Sequence, residues 1–96
     1  MNENKETEQK NKVTMTKEEA LISAKNACYY ALFVLRGEFL EGEELISKDA
    51  WYSYLYAVSI IKKPFPKGEA VILAEPRFKK LYEDFLKYIV SKNEKK

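Results

Sequence analysis

Glu43-Glu44-Leu45-Ile46-Ser47 is the middle of three near-copies of one short pattern, preceded by Glu19-Ala20-Leu21-Ile22-Ser23 and followed by Glu69-Ala70-Val71-Ile72-Leu73. The second and third copies lie 26 residues apart, and their surroundings keep that offset. Phe39 maps to Phe65, Gly42 to Gly68, Ala31 to Ala57, and Tyr30 to Tyr56 and then Tyr82. Self-similarity at a fixed period marks a unit that cannot bury its apolar face alone and stacks on its neighbour instead. The repeat predicts an all-α fold, a compact α-solenoid-like stack of short helical hairpins with three units and about five helices.

Local signals place those helices. Thr16-Lys17-Glu18-Glu19 fits a capping box, in which Thr16 accepts from a first-turn amide and Glu19 reaches back. Apolar residues at helical spacing follow at Ala20, Leu21, Ala24, Ala27, Cys28, Ala31, Leu32 and Leu35. The first helix therefore reads as continuous up to Arg36, with Gly37 taking the left-handed cap conformation. In this alignment the first unit lacks the equivalents of Lys48 and Asp49, as though two short helices had fused. A turn over 38–41 leads to a short helix over 42–46, and Asp49 is a good N-cap for a helix over 50–62. Lys63-Pro64-Phe65-Pro66 ends that helix, because proline removes an amide donor and restricts the residue before it. A short helix over 67–74 follows. Pro76 opens the last helix, which carries Phe78, Leu81, Tyr82, Phe85, Leu86 and Ile89 on one stripe. No segment alternates with period two.

The polar ends do not join this pattern. Residues 1–15 are read as a disordered tail, 16–90 as the helical repeat domain, and 91–96 as a frayed tail, since so polar a segment cannot offset its ordering entropy. The net charge is +2. It lies at the C-terminal end, where Lys92, Lys95 and Lys96 outnumber Glu94, while residues 16–90 hold eleven basic and eleven acidic side chains. A dedicated nucleic-acid binder usually has a basic body. A single cysteine, Cys28, cannot form an internal disulfide, and no secretory signal or long apolar run is visible. These features predict a soluble, cytoplasmic protein.

Chemistry is sparsely provided. The chain has no histidine, which removes the usual general base and the commonest metal ligand. Cys28 sits in an apolar helix without a base beside it in sequence, so it reads as a buried structural thiol. No phosphate-binding glycine loop or metal-ligand spacing is present. The sequence predicts a protein without catalytic, cofactor or metal sites.

Binding is the remaining class. Glu43 and Glu69 occupy equivalent positions at helix starts, where a carboxylate complements the helix dipole. Glu38 and Glu41 instead map to Pro64 and Lys67, so their charge is not part of the repeat and makes half of a candidate recognition patch. The second turn inverts the sign with Lys62, Lys63 and Lys67, followed by Arg77, Lys79 and Lys80. Opposite charges on successive turns suggest head-to-tail self-association. Phe39 and Phe65 read as plugs folded between the helices on either side of their turns. The helix over 50–62 is apolar all round, interrupted only by Ser53 and Ser59, as expected of a helix buried between neighbours. Its excess of rings leaves one or two of Trp51, Tyr52 and Tyr54 to reach the surface, where such residues anchor partners.

The stretch Tyr52-Ser-Tyr-Leu-Tyr-Ala-x-x-Ile-Ile-Lys-x-x-Phe-x-x-Gly-Glu-x-x-Ile72, with the matching turn Arg36-Gly-Glu-Phe-Leu-Glu-Gly-Glu43, resembles a short helical repeat found in uncharacterised proteins of tailed phages. The resemblance covers residues 19–86 and implies stacked helical hairpins and a viral or prophage origin. It brings no active site. The second turn departs from that pattern in its Lys-Lys-Pro-Phe-Pro, and the final unit is degenerate. Together these readings predict a non-catalytic protein-binding module, such as a phage-encoded adaptor or an inhibitor of a host protein. Trp51, Tyr52, Tyr54, Glu38, Glu41, Lys62, Lys63 and Lys67 are its candidate contact residues. The alternatives are a nucleic-acid binder using Lys62, Lys63, Lys67, Arg77, Lys79 and Lys80, and a structural oligomerisation module.

Overall fold

Ser23, and not a continuous helix, decides the first unit. In the computed structural model, which describes residues 14–94, α1 spans Lys17–Ala20 and stops at Leu21. Ser23 then caps α2, Ala24–Tyr29, by accepting from the Asn26 amide at 3.1 Å. The Asn26 side chain reaches back to the Glu19 carbonyl at 3.0 Å, which holds the bend between the two helices. The capping box at Thr16 forms as expected, with both of its hydrogen bonds present.

This break corrects the alignment of the first unit. Ser23 is the equivalent of Asp49, which caps α4 by accepting from the Tyr52 amide at 2.9 Å. Ala20, Ile46 and Ile72 are then equivalent, all fully buried, at the same 26-residue spacing. Glu19-Ala-Leu-Ile-Ser resembles its later counterparts by composition but is shifted two residues from the structural register. Nothing is missing from the first unit. Two short helices are present there, as in the others.

The remaining elements are a 3₁₀ turn over Leu40–Gly42, α3 over Glu43–Ile46, α4 over Ala50–Leu55, α5 over Pro66–Ala74 and α6 over Pro76–Glu94. Six α-helices result, and no strand occurs among the described residues. Helix α2 contacts α4, α4 contacts α6, and α3 and α5 lie against the longer helices. Helix α6 continues through Ser91–Glu94, where a frayed tail was expected, and Met15 packs against the core, so the ordered body starts one residue before Thr16. Residues 1–13, most of the expected N-terminal tail, lie outside the described part.

Helices α2 and α4 both widen into π-helical segments, Tyr30–Leu35 and Tyr56–Ile61, again 26 residues apart. Each segment ends at a cation in the left-handed conformation, Arg36 at φ 57° and Lys62 at φ 55°. The sequence assigned that conformation to Gly37; the structure moves it one residue earlier, and no glycine among the described residues has positive φ. The amides of Gly37 and Lys63 close the turns on the carbonyls of Ala31 and Ala57, each at 3.1 Å. A left-handed non-glycine residue costs about 1–2 kcal/mol, and its recurrence at both ends makes it a property of the unit.

The core follows the repeat. Phe39 and Phe65 are buried plugs, as expected, with ring centroids 4.8 Å from Tyr30 and 4.9 Å from Tyr56. Gly42 and Gly68 sit so close to their plugs that an added Cβ would lie 2.5 Å from the Phe39 ring and 2.7 Å from the Phe65 ring. Ser53, expected as a polar interruption, is instead fully buried. Its hydroxyl donates to the Ile46 carbonyl at 2.8 Å, and only a small side chain leaves room for Gly68 beside it.

Candidate functional site

The buried polar groups of the core form two copies of one arrangement. The hydroxyl of Tyr56 accepts from the Phe39 amide at 2.9 Å and donates to Glu43 Oε2 at 2.7 Å. The hydroxyl of Tyr82 accepts from the Phe65 amide at 3.1 Å and donates to Glu69 Oε2 at 2.8 Å. Each latch ties a plug, the start of a short helix and the following long helix together. The equivalent of Glu43 in the first unit is Lys17, so Tyr30 has no such acceptor. Burial, with the facing carboxylate adding to it, pushes both phenols up from their ordinary value, Tyr82 to about 12. Neutral hydroxyls whose donor and acceptor sites are both filled stabilise the fold and have no capacity left for a ligand.

Cys28 is buried as expected, and its thiol points at the Tyr52 carbonyl at 3.9 Å. Burial raises it to about 12, so the thiol stays protonated at neutral pH. Among the described residues no three His, Cys, Asp or Glu side chains converge as metal donors.

The three predicted aromatic anchors do not share one face. Trp51 is 43% exposed and lies on α4 beside Tyr54, with centroids 6.0 Å apart. Both meet Phe78 of α6, Trp51 at 5.6 Å and Tyr54 at 5.9 Å with nearly parallel rings. The Arg77 guanidinium lies 5.3 Å from the Phe78 centroid. Tyr52 points the other way, edge-on to Tyr29 at 6.0 Å, and Tyr29 in turn meets the exposed Phe33 at 5.9 Å. Successive helix positions diverge by about 100° at 3.6 residues per turn, so Trp51 and Tyr52 cannot serve the same contact, whereas Trp51 and Tyr54 can. Phe78 and Arg77 complete the patch. In the sequence Phe78 belongs to the apolar stripe of the last helix, and only the packing of α4 on α6 brings it to Trp51.

The charged candidates pair within the chain. Glu38 meets Lys63 at 2.9 Å, Glu43 faces Lys67 at 4.0 Å, and Glu41 forms a hydrogen-bonded ion pair with Lys17. Lys17 is raised and Glu41 lowered from their ordinary values, first of all by that hydrogen bond. Two of these pairs, Glu38–Lys63 and Glu43–Lys67, join the first turn to the second within one molecule, while Glu41 pairs with Lys17 of α1. Of the basic set offered to nucleic acid, Lys63, Lys67, Arg77 and Lys80 each have a carboxylate within 4.0 Å, Arg77 with Glu75 and Lys80 with Asp84.

Lys62 stands apart from that network. It lines an open groove of about 540 Å³ between the π-helical end of α4 and α6, with Val58 opposite Leu81, Phe85 and Ile89. Asp84, Tyr88 and Lys92 of α6 complete its lining. No helix of the described residues is long and apolar enough to cross a membrane. No family model matches the chain, and neither a curated protein nor a solved structure matches it.

Proposed function

We propose that the chain is a small, non-catalytic protein-binding module that works in the cytoplasm, its contact face built on Trp51, Tyr54, Phe78 and Arg77. The observation that carries this reading is the half-exposed Trp51, packed against the stacked pair of Tyr54 and Phe78 across two helices and flanked by a guanidinium. Trp, Tyr and Arg are the side chains most often found at binding hot spots, and here they are held by a scaffold whose own polar groups are already satisfied. Tyr52 leaves the contact set because it faces Tyr29, and Glu38, Glu41, Lys63 and Lys67 leave it for their ion pairs, whereas Arg77, itself paired with Glu75, keeps its place over the Phe78 ring. Lys62 belongs to the separate groove along α6. The resemblance to tailed-phage repeats supports a phage-encoded adaptor or an inhibitor of a host protein, which acts stoichiometrically by occupying a partner's surface.

The test compares capture of a host protein by the wild-type chain with capture by Trp51→Ala and Arg77→Ala. Both variants are checked for an unchanged helical circular-dichroism spectrum. Loss of capture by at least roughly tenfold with folding intact supports the face. Retained capture, or unfolding of Trp51→Ala together with full binding by Arg77→Ala, removes it. Nucleic-acid binding has a separate signature: each phosphate neutralised adds about 0.7–0.9 to the slope of log affinity against log salt. The pairing of four of its six cations with carboxylates argues against it, and no retention on DNA or RNA at low salt would eliminate it.

A further inference from the structure

The third long helix differs from the first two on the side where the next unit would be received. In α2 and α4 the positions under the following short helix are small: Ala27 and Ala31, then Ser53 and Ala57, all fully buried. Gly42 approaches Ala27 so closely that an added Cβ would lie 3.0 Å from the Ala27 Cβ, and at Gly68 it would lie 2.5 Å from Ser53 Oγ. The equivalents on α6 are Lys79 and Glu83. Two long charged side chains fill the place of that close approach, so α6 cannot receive a further copy of the repeat. The side of α4 that meets α6, with Trp51, Tyr54, Val58 and Lys62, has Arg77, Lys80, Asp84 and Tyr88 as its equivalents on α6.

That side of α6 nevertheless carries apolar surface. Leu81 is 47% and Tyr88 61% exposed, and both line the groove with Phe85 and Ile89. Along the groove Asp84, Tyr88 and Lys92 follow at intervals of four residues, an acid, a ring and a base, with Asp84 also 3.3 Å from Lys80 and the Lys92 ammonium 5.9 Å from the Tyr88 centroid, exposed contacts that a partner copy can exchange. A row of this kind is its own complement. Turned about a two-fold axis at Tyr88, it brings each Asp84 against the Lys92 of the second copy and ring against ring, the isologous contact that closes a dimer. We propose that this groove is a self-association surface, occupied by α6 of a second copy of this chain running antiparallel. The repeat itself excludes an added unit, and the charge order selects the antiparallel direction, because a parallel pair would place like charges together. The surface is distinct from the Trp51 face, so its failure leaves the binding proposal standing.

Sedimentation equilibrium on the full chain tests it. The wild type is expected to dimerise, and Tyr88→Glu to weaken dimerisation by roughly tenfold or more. Asp84→Lys and Lys92→Asp each weaken it about fivefold, since one substitution breaks both copies of the pair. The double swap Asp84→Lys with Lys92→Asp restores wild-type association. All three substituted positions are exposed, and unchanged circular dichroism verifies the fold. A monomer up to millimolar concentration at low salt overturns the proposal. A dimer indifferent to Tyr88→Glu overturns it too, by placing the interface elsewhere. Single variants that weaken association without rescue by the swap overturn the antiparallel register.

Discussion

The turns that follow α2 and α4 share a backbone and differ in charge. Each leaves a π-helical segment through a left-handed cation, Arg36 in one and Lys62 in the other. Each then buries a phenylalanine whose amide is held by a tyrosine hydroxyl one unit ahead. In each a glycine lies against the plug and a glutamate accepts a hydrogen bond from the tyrosine hydroxyl. Around these constants the first turn carries Glu38 and Glu41, and the second carries Pro64 and Lys67. Apart from the exposed cations Arg36 and Lys62, the constants are buried or half-buried, and the variables are exposed. A repeat can therefore conserve its packing chemistry while its surface charge changes sign, and the changed signs can pair, as Glu38 does with Lys63.

If the two turns are equivalent, removing either plug should do equal damage. Phe39→Ala and Phe65→Ala are each expected to cost about 3–5 kcal/mol, the usual range for emptying a buried aromatic site. In a domain of this size that lowers the melting temperature by more than about 12 °C, at roughly 4–8 °C per kcal/mol. Thermal unfolding followed by circular dichroism measures both. A difference larger than about 2 kcal/mol between the two variants would break the comparison, by showing that one plug holds a hinge and the other holds the fold.

The constants were legible where one residue type had to recur for a steric reason. The spacing of Tyr30, Tyr56 and Tyr82, of Phe39 and Phe65, and of Gly42 and Gly68 located the units and foretold the plugs. The break at Leu21–Ser23 was missed because the helical spacing of apolar residues runs unbroken through it, and a serine cap looks like any serine. The π-helical segments leave no compositional trace, since Tyr30–Leu35 and Tyr56–Ile61 satisfy helical patterning equally well. Glu43 and Glu69 stand in the first turns of their helices, where sequence position alone puts them. Their pairing with Tyr56 and Tyr82 needed the relative rotation of two helices. The same rotation decides that Phe78, not Tyr52, joins Trp51. A sequence pattern fixes which face a residue shares with its neighbours on one helix, but not what arrives from another.

The latches give the next effect in size. Tyr56→Phe and Tyr82→Phe keep the ring and remove the hydroxyl, leaving a buried amide at Phe39 or Phe65 without its acceptor, which costs about 1–3 kcal/mol. Because both phenols are raised in the folded state, the sign of the pH effect follows directly. The stabilisation is fully present below the ordinary tyrosine value near 10 and is lost as pH rises towards about 12, the value of Tyr82. Cys28, also raised to about 12 by burial, acts in the same direction. Urea unfolding between neutral and alkaline pH should show a steeper loss for the wild type than for either phenylalanine variant. Parallel curves for wild type and both variants would mean that the hydroxyls do not ionise with unfolding and that the latches are not equivalent carriers of stability.

The smallest effect belongs to the feature in which the turns differ. Glu38 and Lys63 are both substantially exposed, and exposed pairs are worth only about 0.2–1 kcal/mol because water screens them and two flexible side chains must be ordered. A double-mutant cycle with Glu38→Gln and Lys63→Met should return a coupling in that range, shrinking further as salt shortens the screening length to about 3 Å at 1 M. A coupling above about 2 kcal/mol that persists at high salt would place the pair among the constants, as part of the packing. The small, salt-sensitive value is expected because a pair that held the fold would have to recur with the plugs. Position 64, the equivalent of Glu38, is a proline, and the second turn keeps the same backbone without any charge there.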